Sequence, residues 1–181
     1  MIYYEEQIAT KTLKILNNRS WNSLSLEEIK KNNKNKKIHL NSKFQLFKII
    51  NKYVDNKLIN EMKFLEISSS KDMLFEVFMA RFDILQKNRN AFIEIYKYFK
   101  KNPQNFIKLL PNFLESMIIT AELSKYNVNG LKGTIRLKGL MIIYFVTFFS
   151  WIEDKTSSLE KTMTELDKNL DRAEKFAKII K

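Results

Sequence analysis

The stretch SLEEIKKNNKNKKIHLNSKFQL, residues 25–46, decides how this chain reads. It opens on Ser25-Leu-Glu-Glu28 and closes on Ser42-Lys-Phe-Gln45, two capping boxes. In such a box a serine accepts from an early backbone N–H while a Glu or Gln three residues on reaches back. Each predicts a helix start: a short helix holding Leu26 and Ile29, and a long one from Lys43 to about Leu65. In the long one Phe44, Phe47, Ile50, Val54 and Leu58 step by three or four, the helical period. Between the boxes, residues 30–37 read KKNNKNKK, five lysines and three asparagines with no apolar side chain.

Outward from this stretch the pattern stays helical. Tyr3–Leu16 carries Ile8, Leu13, Ile15 and Leu16, and Arg19–Ser23 breaks it. Ser68-Ser-Ser70 reads as a junction, which divides the chain into modules 1–65 and 66–181. Beyond it, Met73–Leu85 carries Leu74, Phe78, Phe82 and Leu85, and Arg89–Phe99 carries Phe92, Ile95, Tyr96 and Phe99. Asn102-Pro103 and Leu110-Pro111 place proline in a first helical turn. After a loop at Tyr126–Gly130, a long helix to about Ile152 bears the stripe Leu137, Leu140, Met141, Tyr144, Phe148 and Trp151. Ser157-Ser-Leu-Glu160 reads as the cap of the last helix. There Leu159, Met163, Leu166, Leu170, Ala173, Ala177 and Ile180 are spaced 4-3-4-3-4-3, a seam for one neighbouring helix. That neighbour belongs either to a second subunit or to the same one.

Composition removes many alternatives. The 181 residues include one His, no Cys, three Gly and two Pro. Thiol catalysis, zinc-finger sites and cysteine-ligated iron–sulfur clusters are excluded, and no Walker loop, dinucleotide fingerprint or GxSxG elbow can be written. No paired carboxylates stand at a usable spacing, so the reading is a protein without catalytic residues, metal or cofactor, not an enzyme. Scarce glycine argues against hairpins and for an all-α fold. The 32 Lys plus Arg outnumber 20 Asp plus Glu, a net charge of +12 that suits nucleic acid or an acidic membrane surface. Abundant Lys, Asn and Ile, as in proteins of AT-rich genomes, is the other source of that charge. Glu5, Glu6, Lys11 and Lys14 stand where a secretory leader is apolar, and the apolar run Leu140–Ile152 is shorter than the roughly 20 residues of a spanning helix. Cytoplasm is the expected location.

The order of pieces resembles the TetR family of one-component regulators. Ser25-Leu-Glu-Glu-Ile29 is similar to the family's entry to its second helix, and Asn41-Ser-Lys43-Phe-Gln-Leu46 to the start of its fourth, with Leu40 where a Phe is usual. MLFEVFMARFDILQKNR (73–89) and DKTSSLEKTMTELDKNLDRAEKFA (154–177) resemble the C-terminal domain of a TetR-like group of alphaproteobacteria. The TetR-like accessory proteins of coenzyme Q biosynthesis share that layout but bind lipid rather than operator DNA. Ile29 and Lys43 are 14 residues apart, about one helical turn less than in the family, and the shortening falls in the turn and recognition helix.

The resemblance implies a small N-terminal helix-turn-helix module, a larger C-terminal bundle that binds a ligand, and a homodimer held by the last two helices. Under it Lys30, Lys31, Lys34, Lys36, Lys37 and Lys43 are expected at DNA phosphates, with Asn35 and His39 near base edges. The alternative for residues 30–37 is a solvated loop that no longer reads DNA. Phe78, Phe82, Phe92, Tyr96, Met117, Met141, Tyr144, Phe148 and Trp151 are either core or the lining of an apolar pocket, with Arg81, Arg136 and the Tyr144 hydroxyl as polar anchors. Leu159, Met163, Leu166, Leu170 and Ala173 are the expected dimer contacts. The leading expectation is a DNA-binding regulator that responds to an apolar small molecule. The second is a lipid-binding accessory protein that touches a membrane surface.

Overall fold

A computed structural model describes residues 2–30, 40–63, 66 and 68–179, with backbone alone at 2, 3 and 177–179, and shows an all-helical chain. Among the described residues it holds nine helices: α1 (Ile2–Leu16), α2 (Leu26–Lys30), α3 (Lys43–Glu61), α4 (Ser70–Gln86), α5 (Arg89–Lys101), α6 (Pro103–Ile107), α7 (Leu110–Leu123), α8 (Gly130–Glu153) and α9 (Glu160–Ile179). They sort into two compact units that do not follow chain order. Unit 1 is Met1–Lys57 with Ile84–Asn112, and unit 2 is Leu58–Asp83 with Phe113–Lys181. The sequence divides most simply once, at 65/66; the structure groups residues 84–112 with the N-terminal helices instead.

The reason lies in α1. Its buried residues Ile8, Ala9, Thr12, Leu13 and Leu16 form one helical face that needs a cover. The cover is α5, which buries Ala91, Phe92, Ile95 and Phe99. Asn17 fastens the pair: its Nδ2 donates to Asn88 Oδ1 at 3.2 Å, and its Oδ1 accepts from the Ala91 N–H at 3.2 Å. Asn17 thereby supplies the α5 cap that the Asn88 side chain does not. At the other end of α5, Tyr98 lies 6.0 Å from Trp21 between ring centres, and Phe99 meets Phe47 of α3 edge-on at 5.2 Å. Such ring pairs each contribute about 0.5–1.5 kcal/mol beyond the area they bury.

The two capping boxes form differently. At α2, Ser25 Oγ accepts from the Glu27 N–H at 3.2 Å, but Glu28 leaves the box for Arg19 at 2.9 Å. At α3, Ser42 Oγ accepts from the Gln45 N–H at 3.2 Å, and Gln45 Oε1 accepts from Asn41 N–H at 2.7 Å.

Unit 2 is built on α8. Phe82 of α4 stacks near Tyr144 at 5.8 Å and Trp151 at 6.5 Å, and Phe113 of α7 lies 6.3 Å from Tyr144. Gly133 permits the start of α8 to lie against the preceding loop, because a Cβ there would stand 2.0 Å from the Val128 carbonyl carbon. The start of α9 is held by Asp154 and Thr156, not by the expected Ser157. Asp154 Oδ1 accepts from the Thr156 N–H and hydroxyl at 3.0 and 2.6 Å, and Oδ2 from the Thr162 N–H and hydroxyl at 2.8 and 2.9 Å. Thr156 Oγ1 in turn accepts from the Glu160 N–H at 3.1 Å. Burial opposes ionisation of Asp154, but the bonds from Thr156 and Thr162 together outweigh it and hold the carboxyl down at about 2. Lys71 of α4 bridges Asp167 and Asp171 of α9 at 2.9 and 2.6 Å, and those carboxylates push its ammonium pKa up.

Candidate functional site

Charge separates with the units. Unit 1 carries 18 Lys plus Arg against 6 Asp plus Glu, a balance of +12, whereas unit 2 carries 14 of each and is neutral. A single cut at 65/66 conceals this, giving +7 and +5. The difference is segment 84–112, whose six cations (Lys87, Arg89, Lys97, Lys100, Lys101 and Lys108) face one acid, Glu94.

Of the expected DNA contacts, Lys31, Lys34, Asn35, Lys36, Lys37 and His39 lie outside the described residues. Lys30 is exposed at the end of α2. Lys43 is turned inward: its Nζ donates to the carbonyls of Trp21 and Asn22 at 2.8 and 3.0 Å, and burial lowers its pKa. Its role in the structure is to satisfy the turn after α1. Lys11 does the same for the end of α2, donating to the Glu28 and Ile29 carbonyls at 2.6 and 3.2 Å. The remaining cations divide. Lys52 and Lys57 pair with Glu5 and Glu6 at 2.7 Å, whereas Lys14, Lys48, Lys100, Lys101 and Lys108 are exposed and have no ion pair among the described residues.

The expected ligand residues do not form one group. Phe92 and Tyr96 belong to unit 1; the other nine belong to unit 2. In unit 2 Phe78, Phe82, Tyr144 and Trp151 are buried and ring-packed, Met117 is buried, and Met141 and Phe148 are half-buried. Arg136 is exposed, bonded to the Asn127 carbonyl at 3.1 Å and set over Tyr126, so it lies away from that interior. Arg81 is different: 1% exposed, it lies 5.9 Å from the Tyr144 ring centre and donates toward the Ser116 carbonyl at 3.5 Å. Among the described residues it is the one buried cation.

Leu159, Leu166 and Leu170, expected to face a second subunit, are buried within unit 2, where α9 packs on α8. Ala173 is half-buried and Met163 is 40% exposed; Ala177 and Ile180 fall outside the described side chains. The buried face of α9 runs through Thr162, Leu166, Asn169 and Leu170, turned by about one residue from the seam. A second seam lies on α8, exposed at Leu131, Ile135, Lys138, Ile142 and Phe149 and half-buried at Ile152 and at Phe145, which meets Phe113 edge-on at 5.0 Å. Leu131, Ile135, Lys138, Ile142, Phe145, Phe149 and Ile152 repeat 4-3-4-3-4-3 opposite the buried Leu140, Tyr144, Thr147 and Trp151, and Leu131 is 89% exposed. Its exposed apolar members, with Val146, occupy an arc of about 60° at 100° per residue. With both faces apolar, α8 reaches the length and composition of a membrane-crossing helix, which the run Leu140–Ile152 alone does not suggest. This outer stripe was readable as spacing, but the inner stripe hides it when only one apolar face is sought.

No protein-family model matches the chain, and no curated protein does.

Proposed function

We propose that this protein is a TetR-like, homodimeric DNA-binding regulator: unit 1 is its nucleic-acid face, and unit 2 carries the dimer contact and an effector site. The observation that carries the reading is the confinement of the whole +12 balance to unit 1. Lysines at phosphates supply affinity and salt dependence, whatever the sequence beneath them. Two heads held at fixed spacing gain register on a repeated site. The outer seam of α8 suits that dimer, because a heptad repeat fits one helix of similar pattern. An antiparallel α8 pair keeps Lys138 off its own copy and brings Lys132 toward the opposite Glu153, the one acid of this helix. An apolar effector, anchored by the Arg81 cation, would act by binding the two arrangements of the heads unequally.

The test is binding of purified protein to fragments of its own genome, with excess unrelated DNA, across a salt series. A fragment that survives the competitor near physiological salt is the expected result. Equal loss for all sequences as salt rises would defeat sequence reading. The second reading, a lipid-binding accessory protein, is favoured by the exposed apolar face of α8. Copurified isoprenoid lipid with no DNA preference would put it first.

A further inference from the structure

We infer that the anion-binding surface of unit 1 extends beyond the N-terminal helices onto the corner of α5 and α6, where Lys100, Lys101 and Lys108 contact nucleic-acid backbone phosphates. The inference rests on the DNA-binding reading and adds a footprint to it.

Three observations meet at this corner. First, position: Tyr98, in the last turn of α5, packs on Trp21 in the turn between α1 and α2, and Phe99 packs on Phe47 of α3. Asn102 Nδ2 donates to the Tyr98 carbonyl and Asn105 Nδ2 to the Tyr98 hydroxyl, both at 2.9 Å, so α6 is tied to the same turn. The lysines therefore belong to the same compact unit as α1, α2 and the first four turns of α3. Second, availability: Lys100, Lys101 and Lys108 are exposed and have no ion pair among the described residues, while the neighbouring Lys97 is held by Glu94 at 2.7 Å. Lys100 and Lys101 also answer the dipole of α5 at its C-terminus, whereas Lys108 caps the five-residue α6, whose dipole is small.

Third, the surroundings favour a phosphate backbone over a lipid surface. Gln104, Asn102 and Asn105 lie between the lysines, and Ile107 is the one large apolar side chain exposed in unit 1 among the described residues. A membrane-lying helix needs an apolar face beside its cations. The nine other exposed large apolar side chains are all in unit 2, which is neutral.

The experiment uses the full chain and a fluorescein-labelled 30-base-pair duplex of mixed sequence, followed by anisotropy from about 25 to 200 mM KCl. Compared are the wild type, the triple variant Lys100→Gln, Lys101→Gln, Lys108→Gln, and a control with Lys125→Gln, Lys155→Gln and Lys168→Gln in unit 2. Circular dichroism melts verify that both variants fold. Each phosphate contact contributes about 0.9 to the slope of log K against log salt. The expected result is a slope shallower by about 2–3 in the first variant and unchanged in the control. A wild type that binds with a steep slope, together with an unchanged slope in the first variant, overturns the footprint and leaves the DNA reading standing. A wild type that binds no duplex overturns both. A parallel arm with phosphatidylglycerol–phosphatidylcholine vesicles separates the remaining case: lysine-dependent vesicle binding without lysine-dependent DNA binding assigns the corner to a lipid surface and overturns the proposal.

Discussion

Unit 1 has a large net charge and, among the described residues, little apolar surface, whereas unit 2 has apolar surface and no net charge. Unit 1 holds the entire +12 balance and one exposed large apolar side chain among the described residues; unit 2 holds no net charge and nine. Attraction for a polyanion acts at a distance and falls with salt, whereas apolar burial is short-ranged and survives it. One chain thus offers two adhesive surfaces that respond to opposite conditions. A composition of +12 spread evenly would mean little; its confinement to one unit is what points to a partner.

The hardest way to break this contrast is to reverse charge in unit 1. Lys34→Glu, Lys36→Glu and Lys37→Glu together are expected to lower DNA affinity by about 10²–10³-fold near 0.1 M salt while leaving the oligomeric state unchanged. Filter binding beside light scattering checks both. Unaltered affinity would mean that the basic stretch is only solvated. In unit 2 the matching attack is Ile142→Asp, at the centre of the outer α8 seam. A central interface residue contributes about 2 kcal/mol or more, so self-association should weaken by roughly 30-fold, with little dependence on salt. Sedimentation velocity reads it, and an association constant that stays put would remove α8 from the dimer contact.

The smallest effect sharpens rather than breaks. Asp154 has its pKa depressed to about 2, from an ordinary 3.8. Its stabilising effect is complete above the unfolded value and disappears as pH falls from about 4 through 2. Asp154→Asn should cost about 1 kcal/mol at pH 7, as a lost helix cap does, with the gap to wild type closing below pH 3. Thermal melts over that range decide it. A gap that keeps its pH 7 size down to pH 2 would mean that the carboxylate charge is not what holds α9.

Much of the helical framework was readable. The period of Phe44 to Leu58 located α3, proline in a first turn located α6, and the stripe from Leu137 to Trp151 located the inner face of α8. Partners were harder, because periodicity says that a face is covered and not by what. Phe92 and Tyr96 repeat like Phe78 and Phe82, yet they belong to different units. The seam of α9 and the outer stripe of α8 have the same spacing, yet the structure buries Leu159, Leu166 and Leu170 of the one and exposes Leu131, Ile135, Ile142 and Phe149 of the other. Long-range polar contacts leave even less trace. Nothing near Asn17 announces that it caps a helix more than 70 residues away, and nothing near Lys43 says that its ammonium is held by two carbonyls.

The covering of α1 by α5 also has a consequence for the order of biosynthesis. A chain emerging from the ribosome presents Ile8, Leu13 and Leu16 long before Ala91, Phe92 and Ile95 exist to shelter them. All of segment 58–83, which belongs to unit 2, must be translated in between. At roughly 5–20 residues per second, the first helices wait several seconds before the segment that covers their apolar face is made. A fragment ending near residue 65 would wait indefinitely.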